Sequence, residues 1–473
     1  MKKVNSSTVL SQAVLLFVCS CCFADVCKTN GATFCSVPVI PSKSLQIEGF
    51  NYIVGPPIMD PPFIKVMENR PPSDVCVILV EGLCSDRFGD FGHERGVAPT
   101  LDAFALESVR FEQAIASSSR IQPFIMSLMM SFAPDSKRLF RWTDNRLTEG
   151  KTLAEVFREV GYRTVGFARC PMESWENGCA RGFDIYQDCS RKMTGESNVD
   201  HGSDRMDCNT QITNFAKDWI LHLRDPDEPL FLFLLYETEC RHEPPVCIHG
   251  SDGPLDPNPC ECPQGLPVDC KDGIRQVDAC ISNLLAAIQG SSKSNDTVFV
   301  IAACHSQSFR GRDLSNESYS LREENIRVPL LIRPVQSDVQ FVPGQVHSGQ
   351  VGLIDVAPTL ADLIRIQIPQ CWEGRSLVPA LQGKALKEIP IILDNCLDSK
   401  NRLRAVRTSR WKISAQEPFT TPFEIHDLLA DPCETNNLVR DEGPIPREVR
   451  PLIRFLLRKE TSDFFSLRRH KSR

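Results

Sequence analysis

Residues 74 to 80 (DVCVILV) form an unbroken apolar run rich in β-branched side chains, followed by Glu81 and Gly82. A strand buried on both faces has this pattern, because neither face alternates with solvent. Similar runs recur at residues 163 to 168, 230 to 236, 297 to 303 and 328 to 332. Between them the period becomes helical, over residues 153 to 160 and 274 to 288. In the second stretch Ile274, Val277, Ile281, Leu284, Leu285 and Ile288 share one face. A further helix is expected over residues 355 to 365, with Pro358 tolerated in its first turn. The alternation of strand and helix predicts an α/β fold with a mostly parallel central sheet and helices on both faces. Sites in such sheets form beyond the carboxyl ends of the strands, which directs attention to loops expected to begin at Glu81, Glu237 and Cys304.

Beyond about residue 385 the pattern changes to short extended pieces at 389 to 393, 404 to 407, 411 to 414 and 424 to 428. These predict a small C-terminal antiparallel subdomain. At the other end, Lys2 and Lys3, an apolar stretch at 13 to 22 and the exit Phe23-Ala24 have the layout of an export signal. The predicted organisation is therefore a signal peptide at 1–24, an irregular Pro- and Cys-rich extension at 25–72 and an α/β domain at 73–385. The subdomain follows at 386–445, then a helical, basic tail at 446–473. Arg468, Arg469, Lys471 and Arg473 in that tail are read as a solvated terminus. The expected destination is secreted or periplasmic and envelope. Val18, Cys19, Ser20 and Cys21 loosely resemble a lipoprotein cleavage segment, which leaves lipid anchoring open. No later stretch reaches the roughly 20 apolar residues of a membrane span.

Composition narrows the function classes. A chain of 473 residues buries enough surface to fold without a structural metal. The net charge of -7, with Lys and Arg dispersed, argues against nucleic acid as the main partner. Of 21 cysteines, three precede residue 25, and the remainder suit an oxidising compartment and disulfides. Cys240, Cys247, Cys260, Cys262, Cys270 and Cys280 lack paired C-x-x-C knuckles with histidine partners, so the run reads as a stapled loop rather than a zinc cluster.

Several segments, in order, resemble the sulfatase family of the alkaline phosphatase superfamily. VILVEGL at 77 to 83, Gly89 to Gly92, APTLDAF at 98 to 104 and SVRF at 108 to 111 follow the family's first strand and the helix after it. RVPLLI at 327 to 332, LIDVAPTLADL at 353 to 363 and EGRSL at 373 to 377 resemble its closing signature. RTSRWK at 407 to 412 and DLLADPCETNNL at 427 to 438 resemble its C-terminal subdomain. The resemblance implies hydrolysis of sulfate esters by a formylglycine nucleophile, made in a C-x-P-x-R context, beside a bound divalent cation.

At the matching positions this chain departs from the family. Aligning Pro123 puts Ile121 at the nucleophile and Ile125 at the arginine. Isoleucine has no heteroatom with which to attack. Ser117, Ser118 and Ser119 lie just upstream, and Ser119 is an alternative hydroxyl in another register, although serines before a helix are more often caps. The family's adjacent metal-binding aspartates fall on Glu81 and Gly82, and its later metal-binding pair falls on Cys304 and His305. Calcium or magnesium requires several oxygen donors, whereas a thiolate favours zinc or copper. The sulfate-binding lysine falls near Ser318. His242, in RHEPP at 241 to 245, resembles the family's substrate-side histidine, and His242 and His305 are the candidate cleft-lining imidazoles.

These residues predict a catalytically silent sulfatase-like protein with no cofactor, binding a sulfated or other anionic glycan or a protein partner. An active sulfate or phosphate ester hydrolase, or a phosphoryl-group transferase, with a non-standard site would need Ca or Mg. A disulfide-linked structural or envelope protein is the third reading.

Overall fold

A computed structural model describes residues 43–47, 50–54, 73–83, 96–134, 150–168, 180–189, 207–238, 268–291, 296–306, 320–396, 402–416, 422, 424–439 and 445–457. The central sheet contains β1 (Lys43–Ile47), β2 (Phe50–Val54), β3 (Asp74–Gly82), β4 (Val109–Ile115), β5 (Arg163–Ala168), β6 (Ile185–Asp188), β7 (Leu230–Glu237), β8 (Thr297–Ser306), β9 (Arg327–Val328), β10 (Leu330–Arg333) and β11 (Val346–Gly352). Its order is β1-β2-β6-β5-β7-β3-β8-β10-β4-β11, with β9 beside β4. The five strands from β6 to β8 are mutually parallel, and β10 runs antiparallel to both of its neighbours. Val75 to Val80 are all buried in β3, as an apolar run without alternation requires of a central parallel strand.

Helices α1 (Pro99–Leu106), α2 (Ile121–Met130), α3 (Leu153–Glu159), α4 (Cys208–Asp218), α5 (Val268–Gln289), α6 (Glu323–Ile326), α7 (Val356–Leu363) and α8 (Val378–Leu381) flank the sheet. Two layers are distinguishable, one with α5 packed on α1 and α4, the other with α2 packed on α3 and α7. Strand β7 shows how one sequence serves both. Phe231 meets Phe157 of α3 at 4.7 Å between ring centroids, while Tyr236 shares a 3.1 Å hydrogen bond with Thr213 of α4. The two residues are five apart, so the pleat directs them to opposite faces. α3 starts where the sequence supplies a capping box: Glu155 N–H donates to the Thr152 hydroxyl, and Thr152 N–H to the Glu155 carboxylate.

Several expectations shift. The extension expected to be irregular contributes the β1–β2 hairpin, whose β2 pairs with β6 and so joins the sheet. Two five-residue strands are too short for periodicity to reveal, and pairing supplies what pattern does not. The helix expected from residue 274 begins at Val268, so Cys270 and Cys280 lie on a helix, while Cys240, Cys247, Cys260 and Cys262 of the expected stapled loop lie outside the described residues. In this structure Cys76, Cys189 and Cys280 are buried and carry thiols, whereas Cys433 is disulfide-bonded. β3, β7 and β8 continue through the residues where loops were expected to begin.

The second sheet is the antiparallel meander β12 (Ile391–Cys396), β13 (Arg402–Arg407), β14 (Trp411–Gln416) and β15 (Glu424–Asp427). Val406, Trp411, Ile413 and Ile425 pack with the last helix, α9 (Arg450–Leu456), in a small core of their own. A buried ionic cluster joins this sheet to the main domain. Arg407 donates from Nε and Nη2 to the two carboxylate oxygens of Glu323, each at 2.8 Å, and from Nη1 to Gln350 Oε1 at 2.8 Å. Lys412 Nζ donates to Leu321 O at 2.7 Å, lies 3.7 Å from Glu323 and pairs closely with Glu434. Glu434 in turn accepts the Glu323 backbone N–H at 2.7 Å. Burial would raise the Glu323 carboxyl, but Arg407 and then Lys412 outweigh it and hold the group at about 2.

A carboxylate so placed contributes stability fully above its ordinary value of 4.5, and that contribution is lost as pH falls from there towards 2. The native chain should therefore lose unfolding free energy through this window more steeply than Glu323→Gln. At neutral pH the substitution is expected to cost about 3–5 kcal/mol in urea denaturation, because it leaves Arg407 buried without its counter-charge.

Candidate functional site

The carboxyl edge of the parallel strands gathers Glu81, Glu237, Cys304 and His305. Glu81 and Glu237 are paired residues of β3 and β7. Their strand ends are held by Asn209 and Thr238. Asn209 of α4 accepts the Glu237 N–H at 3.1 Å and donates to the Glu237 carbonyl at 2.8 Å. Thr238 donates both its N–H (2.9 Å) and its hydroxyl (3.0 Å) to the Glu81 carbonyl. With these groups satisfied, the strands extend further than their apolar runs.

Between β3 and β8 the register slips. Val80 faces Ala303 and Gly82 faces Ser306, so Glu81 alone stands opposite Cys304 and His305. One extra residue on one strand is a β-bulge, a device that redirects side chains at a strand end. Cys304 is fully buried within the main core, while Glu81 is partly exposed. Of His305 the backbone alone is described, and His242 and Ser318 lie outside the described residues. Among the described residues no group of three or more His, Cys, Asp or Glu side chains is placed to hold a metal ion.

The segment aligned with the family's nucleophile follows β4. Ser117, Ser118 and Ser119 are buried, and Arg120 adopts an extended conformation before the helix. Ile121 is the first residue of α2, partly buried against the core, and Pro123 sits in the first turn, where its missing N–H costs nothing. Ile125, at the arginine position, is buried. The serines are not the helix cap: the N-cap is Arg120, which makes no side-chain capping bond and whose N–H donates to the Ser118 hydroxyl at 3.2 Å. They are held instead by Asn395 of β12. Its Oδ1 accepts from the Ser118 hydroxyl at 2.6 Å and from the Ser119 N–H at 3.1 Å, and its Nδ2 donates to the Ser119 hydroxyl at 2.7 Å. Asp394 N–H donates to Ser117 O at 3.1 Å, so β12 lies along the segment. Burial pushes the Asp394 carboxyl up against the pull of Arg402 and Arg404, which donate to it at 2.6 and 3.2 Å.

Asn395 had no sequence signal, since the strand expected at 389 to 393 stops before it and its partners are 276 and 277 residues away. Removing its amide breaks the three hydrogen bonds it makes to the buried serines. Asn395→Ala is expected to destabilise the chain by about 1–3 kcal/mol, and Ser119→Ala to cost less in the Asn395→Ala background than alone. Denaturation of the four-member mutant cycle measures both.

Two family models match. The model described as Sulfatase covers residues 73–366, and that described as N-sulphoglucosamine sulphohydrolase, C-terminal, covers residues 318–450. The chain is 21% identical over 448 residues to a Delta 4,5-hexuronate-2-O-sulfatase of Bacteroides thetaiotaomicron, covering 83% of this chain and 90% of the relative. It is 22% identical to an arylsulfatase of Clostridium perfringens, over 66% of this chain and 79% of the other. Among solved structures, a phosphonate monoester hydrolase of Agrobacterium radiobacter superposes with a TM-score of 0.58 at 16% identity, covering 84% and 96% of the two chains. A protein solved with its substrate D-glucosamine-2-N,6-O-disulfate superposes with a TM-score of 0.60 at 16% identity, covering 84% and 98%. The order of motifs, the doubly covered parallel sheet with its small antiparallel partner, and a family model spanning more than half the sequence agree that this chain belongs to the sulfatase family.

Proposed function

We propose that the chain is an exported, catalytically silent sulfatase whose cleft binds a sulfated or otherwise anionic glycan without hydrolysing it. The observation that carries this reading is Ile121, which opens α2 at the position of the family's nucleophile. Its side chain offers no lone pair to attack sulfur. The neighbouring Ser119 supports the same reading, because its buried hydroxyl and its amide are both engaged by Asn395. Freeing that hydroxyl means breaking buried hydrogen bonds, each about 1–3 kcal/mol to leave unmade.

The donor set at the strand ends points the same way. A hard divalent cation needs several oxygen ligands. Here Glu81 brings one carboxylate, Gly82 has no side chain, and Cys304 is not an oxygen donor at all, since it presents a thiol buried in the core. These residues do not fit the family's calcium or magnesium, and no catalytic step is derived through one. Relatives named for a hexuronate 2-O-sulfate and for ulvan, and a neighbour solved with a disulfated glucosamine, support a sulfated sugar as the ligand class. Export is supported by the lysine-led apolar start and by the disulfide at Cys433.

The bulge that sets Cys304 and His305 against Glu81 favours a second reading, an ester hydrolase with a non-standard site. Plasma mass spectrometry of the purified, unreduced protein and a screen of sulfate and phosphate esters separate the two. The silent reading expects no stoichiometric metal, no turnover, and retention on sulfated oligosaccharides that is lost on their desulfated counterparts. One metal per chain with turnover abolished by Glu81→Ala would establish the hydrolase instead.

A further inference from the structure

We infer that Cys189 and Cys208 form a disulfide that staples the carboxyl end of β6 to the first turn of α4, at the rim of the candidate site. Cys208 Sγ lies 3.3 Å from the Cys189 carbonyl oxygen, to which it donates. Both residues carry thiols in this structure, and the two side chains are close enough to influence one another, so side-chain rotation is the movement by which a bond between them would form.

Both ends are held by the fold. Cys189 N–H donates to Ala168 O at 2.8 Å, which continues the ladder between β5 and β6 by one residue. Cys208 is the first residue of α4, whose N-cap Asp207 accepts the Thr210 N–H at 2.8 Å. The two cysteines are 19 residues apart, so the staple closes a loop whose ends are already fixed. The other buried thiols are placed differently. Cys76 is in the middle of β3, and Cys280 of α5 faces Thr213 and Thr210 further along α4. Burial first, and the neighbouring Cys208 next, push the Cys189 thiol up, which suppresses the thiolate that a metal site or nucleophile would need. That leaves a covalent partner as the chemistry suited to the pair.

The bond forms by exchange with a disulfide donor such as glutathione disulfide or an oxidised dithiol catalyst. The Cys208 thiolate attacks the donor, its S–S bond breaks, and one donor thiolate leaves. The Cys189 thiolate then attacks the mixed disulfide and expels the second. The two cysteines lose two electrons to the donor, and their two protons leave with the released thiols. Since the Cys189 thiolate is disfavoured once buried, the exchange belongs to folding, before α4 docks. Its consequence reaches the site, because the next residue, Asn209, closes the end of β7 at Glu237.

The test is differential alkylation and non-reducing peptide mapping of the full chain produced in an oxidising secretory pathway. In unreduced, denatured protein, Cys189 and Cys208 should both resist alkylation and appear in one cross-linked peptide, and reduction should make both fully reactive. In Cys208→Ser, Cys189 should become alkylated without reduction. Cys189→Ser, Cys208→Ser and the double variant should melt a few degrees below the native chain and within error of one another. Alkylation of both residues without reduction, or linkage of either to a different cysteine, overturns the proposal. The mapping does not depend on catalysis or glycan binding, so its outcome stands apart from the functional reading.

Discussion

The fold depends on a carboxylate held out of water. Glu323 opens a one-turn helix of the main domain, yet both its oxygens are taken by Arg407 of the small sheet. A buried charge of this kind is tolerable only when its partners are in place. The antiparallel sheet is therefore not an appendage, since its β13 and β14 supply the guanidinium and the ammonium that allow Glu323 to be where it is. Glu434, reached through Lys412 and the Glu323 amide, extends the cluster to the chain beyond β15. Geometry this demanding fixes the sheet at one angle, and β12 is thereby laid along Ser117 to Ser119.

That placement links the architecture to the chemistry. The segment before α2 needs partners for its buried hydroxyls and amides, and Asn395 provides them from the neighbouring sheet. A reactive nucleophile would have to remain accessible at this point. In this chain Ile121, at the start of the helix, packs against the core, and Ile125 one turn further on is buried. At the strand ends the same preference for packing recurs, because Cys304 turns into the core where the family resemblance implies a metal ligand.

The parts legible in the sequence are those in which one face pattern determines the outcome. β5 falls on its expected residues because its run is apolar on both faces, and α3 begins at its capping box. β4 and β11 were not anticipated. VRFEQAI and VHSGQVG mix polar and apolar residues at half-exposed positions, and their strand character comes from parallel pairing with each other. Glu81, Ile121 and Cys304 are aligned with the family's site positions through the intact motifs beside each one. The bulge opposite Glu81 was not legible, because register is a property of two strands. Asn395 was hidden for a similar reason, as its role exists only once two distant segments meet.

The cluster around Glu323 also bears on where this protein can be divided. The two family models overlap over residues 318 to 366, and Glu323 and Gln350, both partners of Arg407, fall inside that overlap. The change of pattern near residue 385 is thus a seam in the text of the sequence and not a joint in the solid. A cut there would strand a carboxylate, a glutamine and a row of serines on a raw surface, and would leave Arg407 of the excised sheet without its carboxylate. In mechanical terms the molecule is a single block in which the smaller piece is the keystone.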